Sequence, residues 1–224
     1  MLLRVPGVLK ADELSLVRAL LAGAQFVDGR LSAGTAARRV KENQELEAGA
    51  PDLERLNRVV MGSLVRHPAY RAGALPLHAA SPLYARYRPG MTYGDHLDDP
   101  IMGTGGVLYR SDVAVTVFLS APEEYDGGEL VIRTAAGEQA VKYAAGDAVL
   151  YPASTIHHVS PVTRGERLVA LTWVQSLVRD AARRELLYGL NLAREKLLQS
   201  APEAEETAQV NAAYLNLIRM WSDI

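Results

Sequence analysis

Residues 78 to 176 carry six short apolar or alternating runs separated by turn signals. The runs are LYARY, VAVTVFL, ELVIR, AVKY, AVLY and RLVALTWV, and the turns between them contain pairs such as Pro89-Gly90 and Gly127-Gly128. Strands of this length and spacing are typical of an antiparallel sandwich, barrel or jelly roll. The pattern therefore predicts a β-rich block, although it does not give the order of the strands.

The segments on either side of this block have helical periodicity. The N-terminal side carries two apolar stripes, Leu14, Val17, Leu20 and Leu21, then Leu53, Leu56, Val60 and Leu64. The C-terminal side carries two more, Leu186, Leu190, Ala193 and Leu197, then Val210, Tyr214, Leu217 and Trp221. We therefore expect an α+β protein with a mostly helical flank at 1–77 packed on the core, a β domain at 78–176 and a helical segment at 177–224. Packing of the last segment on the core is favoured over a subunit interface.

The sequence contains no cysteine and five histidines, which excludes disulfides, thiolate metal sites and cysteine nucleophiles. Any transition metal must then be held by imidazole and carboxylate groups. The net charge of -2 gives no basic footprint for nucleic acid. No stretch approaches the roughly 18 apolar residues of a membrane helix, and the N-terminus does not read as a signal peptide. A cytoplasmic location is therefore expected.

His96 and Asp98 lie two positions apart in the β-rich block. In an extended chain, side chains at i and i+2 project from the same face, so both can converge on one ion. The pair His157 and His158 supplies a third ligand, and only one of the two can point inward because adjacent strand residues face opposite sides. Two imidazoles and one carboxylate fill one face of an octahedron and leave three positions open, which is the arrangement of non-haem iron(II) oxygenases.

Arg167 lies ten residues after His157, at the start of the predicted strand RLVALTWV. A guanidinium at this position can bind the far end of a dicarboxylate through two parallel hydrogen bonds, which a lysine cannot match. Arg164, in the preceding turn, is the alternative for this role. The order His-x-Asp, His, Arg therefore indicates a dicarboxylate co-substrate beside the metal.

These residues stand within longer motifs that resemble a known family. The matching segments run nearly from end to end: VPGVL, FVDGR, VKENQEL, YRPGMTYGDHLD, YDGGEL, GDAVLYPASTIHHVSPVTRGERL and WVQSLVRD. They are similar to those of the PKHD-type (PiuC-like) hydroxylases. These are bacterial iron(II)- and 2-oxoglutarate-dependent dioxygenases related to prolyl 4-hydroxylases.

The resemblance implies a double-stranded β-helix, a distorted jelly roll, with iron(II) on His96, Asp98 and His157. It implies that Arg167 holds 2-oxoglutarate, whose oxidative decarboxylation is coupled to hydroxylation of a primary substrate that the sequence does not identify. It also implies an association with L-ascorbate, which keeps such iron sites reduced, and a link to iron homeostasis.

The resemblance also bears on the roles of three individual positions. The spacing to Arg167 in the family favours His157 over His158 as the ligand. Tyr87 stands where related hydroxylases place a tyrosine facing the co-substrate, and a core tyrosine is an equally weighted alternative. Phe118 departs from prolyl hydroxylases, which tend to carry a second tyrosine hydroxyl near this strand position.

Two other functions are compatible with a jelly roll. One is a non-catalytic module that binds a small ligand or a protein. The other is a cupin-like barrel that binds zinc or manganese without 2-oxoglutarate. The intact His, Asp, His and Arg set favours the oxygenase over both.

Overall fold

The computed structural model describes residues 1–104 and 106–224, which form 17 strands and five α-helices. The helices are α1 (Ala11–Ala22), α2 (Leu53–Arg66), α3 (Pro68–Ala74), α4 (Ala181–Ser200) and α5 (Glu205–Trp221). The strands before the predicted block are β1 (Leu3–Val5), β2 (Phe26–Asp28), β3 (Lys41–Glu42), β4 (Gln44–Leu46) and β5 (Pro76–Ala79). Those that follow are β6 (Leu83–Tyr87), β7 (Thr92–His96), β8 (Ile101–Thr104), β9 (Val107–Arg110), β10 (Val113–Phe118), β11 (Tyr125–Gly127), β12 (Leu130–Thr134), β13 (Gly137–Val141), β14 (Ala148–Pro152), β15 (His157–Val159), β16 (Val162–Gly165) and β17 (Arg167–Ser176).

Two antiparallel sheets form the core. The large sheet has eight strands in the order β1-β14-β10-β17-β6-β4-β2, with β5 also paired to β17. The small sheet has five strands in the order β13-β12-β15-β7-β3, and β8–β9 and β11–β16 form separate pairs. The antiparallel jelly-roll core predicted for this region is thereby confirmed.

The large sheet is buried on both faces, as its central strand β10 shows. All six residues of β10 are buried. Ala114 and Phe118 pack in a cluster with residues of the small sheet such as Ile132. Val115 and Val117 pack on the opposite face in a cluster with residues of α1 to α3. A strand covered on both sides reads as a continuous apolar run rather than as an alternation, which explains the sequence VAVTVFL.

The N-terminal flank differs from the mostly helical segment that we expected. Beside α1, α2 and α3 it contains β1 to β5, which extend both sheets. Strand β1 forms an edge of the large sheet, whereas β3 forms an edge of the small one. Each of these strands has only two to four residues, which is too short to be recognised as a strand among segments with helical periodicity.

The buried face of helix α4 overlaps only in part with the predicted stripe. Leu190 and Leu197 of that stripe are half-buried, but Leu186 and Ala193 are exposed. The fully buried residues of the helix are Arg184 and Leu187. A charged residue can occupy the buried face of α4 because its hydrogen bonds are satisfied there. The Arg184 guanidinium donates to the backbone carbonyls of Val178, Arg179 and Asp112.

The stripe predicted for α5 is confirmed for three of its four members, which pack with Leu187 of α4: Tyr214, Leu217 and Trp221. This contact joins the two C-terminal helices to each other. In the two ranges that the structure describes, none of the helices carries an apolar stretch long enough to cross a membrane.

The buried carboxylate of Asp147 ties the N-terminus to the large sheet. It accepts hydrogen bonds from the Arg4 guanidinium at 2.7 Å and from the Gly7 backbone N–H at 2.8 Å. We expect Asp147→Ala to lower the free energy of unfolding by about 2 kcal/mol, because the hydrogen bonds of a buried carboxylate to Arg4 and Gly7 are lost. The matched control is Asp126→Ala, which removes an exposed ion pair with Arg164 and should cause no measurable change. Equal losses in denaturant titrations of the two variants would contradict this expectation.

Candidate metal centre

A cavity of about 360 Å³ lies between the two sheets. His96 and His157 reach its wall from the small sheet, and Tyr87 and Arg167 reach it from the large sheet. Asp98, just beyond β7, lines the same space. The structure therefore brings together in one cavity all five residues singled out in the sequence.

Strand pairing places the two histidines opposite each other. His96 at the end of β7 pairs with His157 at the start of β15, and the centroids of their rings lie 4.2 Å apart. The Oδ1 atom of Asp98 lies 4.0 Å from Nε2 of His157. One ligand atom from each of the three residues lies within 4.8 Å of the others. The three side chains thus converge closely enough to share one ion.

Backbone carbonyls fix which nitrogen of each imidazole faces the cavity. Nδ1 of His96 lies 2.8 Å from the carbonyl oxygen of Gly94, and Nδ1 of His157 lies 2.9 Å from that of Thr155. A neutral imidazole that donates from Nδ1 carries its lone pair on Nε2. The Tyr93 ring stacks on the His96 ring at a centroid distance of 3.6 Å, which restricts rotation of the imidazole.

The alternative residues for these roles lie outside the cavity. His158 points away from it, and its Nδ1 is 3.0 Å from Oδ1 of Asp95. Its side chain is 26% exposed, against 5% for His157. Arg164 makes an exposed ion pair with Asp126. Neither alternative residue reaches the space that the predicted set surrounds.

The electrostatics of the triad suit a cation. Burial, with a further contribution from the neighbouring His157, lowers the pKa of His96 to about 3, so this imidazole is neutral near pH 7. Burial raises the pKa of Asp98, and its Oδ2 has no hydrogen-bond partner among the described residues. Two imidazoles and a carboxylate are a donor set that iron(II) accepts, and an ion there would satisfy the unpartnered oxygen.

Arg167 is a buried cation that has no anionic partner among the residues the structure describes. The residue is 1% exposed, its Cζ lies 4.9 Å from the centroid of the Tyr87 ring, and its Nε and Nη1 atoms have no hydrogen-bond partner in the described chain. The buried hydroxyl of Tyr125 likewise lacks a hydrogen-bond partner within the described ranges. A buried charge is costly unless an opposite charge and hydrogen bonds compensate it. The guanidinium is therefore suited to a carboxylate ligand.

Gly128 makes room for this arginine, a role that the sequence pattern did not reveal. Its φ of +66° fits the expected tight turn. A Cβ atom there would also lie 3.1 Å from Cδ of Arg167, 3.1 Å from Cε2 of Tyr125 and 2.9 Å from Cγ2 of Val162. The absence of a side chain at Gly128 thus permits the packing between Arg167 and Tyr125.

Sequence reasoning also missed three polar residues of the N-terminal flank that line the cavity: Lys41, Asn43 and Glu45. All three are buried, while the alternating Glu42 is exposed and Gln44 is half-buried. The alternation K-x-N-x-E was the signal available in the sequence. Its neighbours did not identify it as a strand, because the flanking segments carry helical periodicity.

Comparisons with known proteins agree with a metal site of this kind. Residues 82–175 match the family profile of the 2OG-Fe(II) oxygenase superfamily, and residues 180–223 match that of the PKHD-type hydroxylase C-terminal domain. A PKHD-type hydroxylase of Thioalkalivibrio sulfidiphilus is 51% identical over the whole of both chains.

Solved structures resemble the fold at low sequence identity. A Pseudomonas putida prolyl-4-hydroxylase has a TM-score of 0.53 and 20% identity, covering 78% of this chain and 92% of that one. A prolyl hydroxylase of Trichoplax adhaerens has a TM-score of 0.57 and 16% identity, covering 83% and 86% of the two chains. These likenesses bear on the fold alone.

Two buried arginines give a matched test of the unpartnered guanidinium. We expect Arg167→Met to raise the free energy of unfolding of the ligand-free protein by about 1–3 kcal/mol, because an uncompensated buried charge is removed. Arg184→Met should lower it, because Arg184 is also buried, at 4% exposure, but donates hydrogen bonds to three backbone carbonyls. Denaturant titrations measure both changes, and a loss of stability in Arg167→Met as large as that in Arg184→Met would contradict the assignment.

Proposed function

The chain belongs to the PKHD-type hydroxylases, 2-oxoglutarate-dependent enzymes of the 2OG-Fe(II) oxygenase superfamily, and on this basis we propose that His96, Asp98 and His157 hold its iron(II). We propose further that Arg167 binds the far carboxylate of 2-oxoglutarate. One observation supports both assignments: a single cavity contains a converging 2-His-1-carboxylate set and a buried guanidinium with two unpartnered nitrogens. A dicarboxylate that chelates the metal at one end can place its other carboxylate on the guanidinium, so it would use both groups.

The three metal-binding side chains divide their work. Nε2 of His96 and of His157 donate lone pairs, while the Asp98 carboxylate also offsets part of the charge of the ion. Three protein ligands leave the remaining coordination positions to small molecules. When bound, iron(II) and 2-oxoglutarate supply the oxidation, in which dioxygen converts 2-oxoglutarate to succinate and carbon dioxide and hydroxylates the primary substrate.

The large sheet orients the co-substrate. Arg167 offers its planar N–H groups for bidentate binding, which fixes both the position and the direction of a dicarboxylate. Tyr87 supports the guanidinium with its ring and lines the same cavity, so we assign its hydroxyl to the same ligand. Apolar residues beside the site, such as Leu130 and Val159, limit the access of water and thereby unproductive oxidation.

Several finer assignments complete the proposal. Ascorbate as the reductant of the iron and a role in iron homeostasis rest on the family resemblance. A cytoplasmic location, self-association through the C-terminal helices as the alternative to packing on the core, and the division at 1–77, 78–176 and 177–224 rest on sequence patterns. The primary substrate is left unassigned. The charge of -2 gives no reason to add a nucleic-acid partner.

The metal assignment is tested by adding iron(II) and then 2-oxoglutarate without oxygen. We expect a visible metal-to-ligand charge-transfer band in the wild type, no band in His157→Ala, and an undiminished band in His158→Ala, because His158 faces away from the cavity. The neighbouring histidine thus serves as the matched control. A wild type without the band would favour a non-catalytic module or a zinc or manganese site, and a band that requires His158 would refute the ligand set.

The carboxylate assignment is tested at Gly128. We expect Gly128→Ala to raise the dissociation constant of 2-oxoglutarate by about tenfold or more, because the added methyl displaces Arg167 from a charge-assisted hydrogen bond. Gly137→Ala is the control, since Gly137 has a φ of +107° with nothing within 4 Å of the added atom. Titration of the charge-transfer band measures both variants. Equal weakening in both would mean that backbone strain, rather than Arg167, is responsible.

A further inference from the structure

Residues 41–46, the sequence KENQEL, join the two sheets along one side of the cavity. Strand β3 pairs with β7 of the small sheet, where Lys41 lies opposite Tyr93. Strand β4 pairs with β6 of the large sheet, where Gln44 lies opposite Arg86. The segment therefore runs from the strand that carries His96 to the strand that carries Tyr87.

Two of the three inward-facing side chains of this segment, Lys41 and Glu45, form an ion pair with each other. The Lys41 ammonium lies 2.5 Å from the Glu45 carboxylate and 2.9 Å from the Ser32 hydroxyl. Both members of the pair are buried and of opposite charge. They therefore compensate each other without a ligand.

Asn43, between them, has no such partner. The residue is 4% exposed and lines the cavity, and within the described part of the chain neither its Nδ2 nor its Oδ1 atom has a hydrogen-bond partner. A Cβ atom at Gly29 would collide with Oδ1, so a glycine is needed to accommodate this amide. A buried amide without partners is costly and needs a compensating interaction.

The register of the large sheet places Asn43 in one row with the co-substrate residues. Asn43 precedes Gln44, which pairs with Arg86, so it lies next to Tyr87, and Tyr87 pairs directly with Arg167. Neighbouring strands are about 4.8 Å apart, so the backbones of Asn43 and Arg167 are separated by about 10 Å. The guanidinium lies over the Tyr87 ring, which reduces this gap at the level of the side chains.

The pKa of Tyr87 is consistent with the placement of Asn43, Tyr87 and Arg167 in one row of the sheet. Burial raises the pKa of Tyr87, and the nearby Arg167 and Asn43 partly offset that effect. Asn43 and Arg167 thus flank Tyr87 in the strand register, and both line the cavity.

We propose that the Asn43 amide is a third binding group for the far carboxylate of 2-oxoglutarate, beside Arg167 and Tyr87. This inference rests on the proposed function. An amide N–H donates to a carboxylate oxygen without adding charge, so it complements the guanidinium. The N-terminal segment would thereby take part in co-substrate recognition, in addition to closing the side of the sandwich.

The test compares Asn43→Leu and Asn43→Asp with Asn57→Leu. Asn57 is the matched control, because its Oδ1 accepts a hydrogen bond from Tyr84 of the same strand β6, and it does not line the cavity. The charge-transfer band of the iron(II)-loaded protein is titrated with 2-oxoglutarate and with 2-oxobutyrate, which lacks the second carboxylate. Unfolding of the metal-free protein is measured in parallel.

We expect Asn43→Leu to weaken 2-oxoglutarate binding by about tenfold and Asn43→Asp to weaken it more, because a second anion would face the carboxylate. Binding of 2-oxobutyrate should be unchanged in Asn43→Leu, and this variant should be at least as stable as the wild type. Asn57→Leu should bind 2-oxoglutarate normally and be less stable.

Unchanged 2-oxoglutarate binding in Asn43→Leu would overturn the inference, as would equal losses for both ligands. If Asn43→Leu does not fold, the near-isosteric Asn43→Asp decides the question by the same comparison of ligands. A wild-type protein without the band would refute the proposed function itself, so the two failures are distinguishable.

Discussion

The antiparallel pairing of β7 with β15 is the interaction on which the site depends. It sets His96 opposite His157, although the two histidines are far apart in the sequence. The pairing of β17 with β6 does the same for Arg167 and Tyr87 in the facing sheet. Because backbone ladders hold these four residues, their positions follow from the sandwich itself, and rigid elements keep a site more precise than loops do.

The cavity gathers polar groups that the fold leaves unsatisfied. Asp98, Arg167 and Asn43 line it and carry buried atoms without partners in the described chain, and Tyr125 beside Arg167 carries another. Outside the cavity the hydroxyl of Tyr70 also has no hydrogen-bond partner in residues 1–104 and 106–224. Other buried charges are paired or bonded to backbone: Lys41 with Glu45, and Arg184 with three carbonyls. Unpartnered groups concentrated in one place indicate stability given up for ligand binding.

The sequence predicted those parts of the protein in which ligand or apolar residues recur at a short, regular spacing. The i, i+2 spacing of His96 and Asp98 predicted that their side chains converge, although β7 ends at His96 and Asp98 lies just beyond it. The apolar runs predicted most strands of the core. Strands β3 and β4 were not predicted, because each has only two or three residues and the alternation K-x-N-x-E across them stands between segments with helical periodicity. The buried face of α4 was predicted only in part, because Arg184 occupies a buried position that pattern reasoning assigns to an apolar residue.

The choice between His157 and His158 depends on which of two adjacent residues faces inward, and local sequence gives only the alternation. The most direct measurement is a crystal structure of the protein with manganese(II) and 2-oxoglutarate. The expected result is an ion bound by Nε2 of His96, Nε2 of His157 and the Asp98 carboxylate, with the far carboxylate of 2-oxoglutarate on Arg167. An ion bound by His158, or a far carboxylate that does not contact Arg167, would contradict the proposed site.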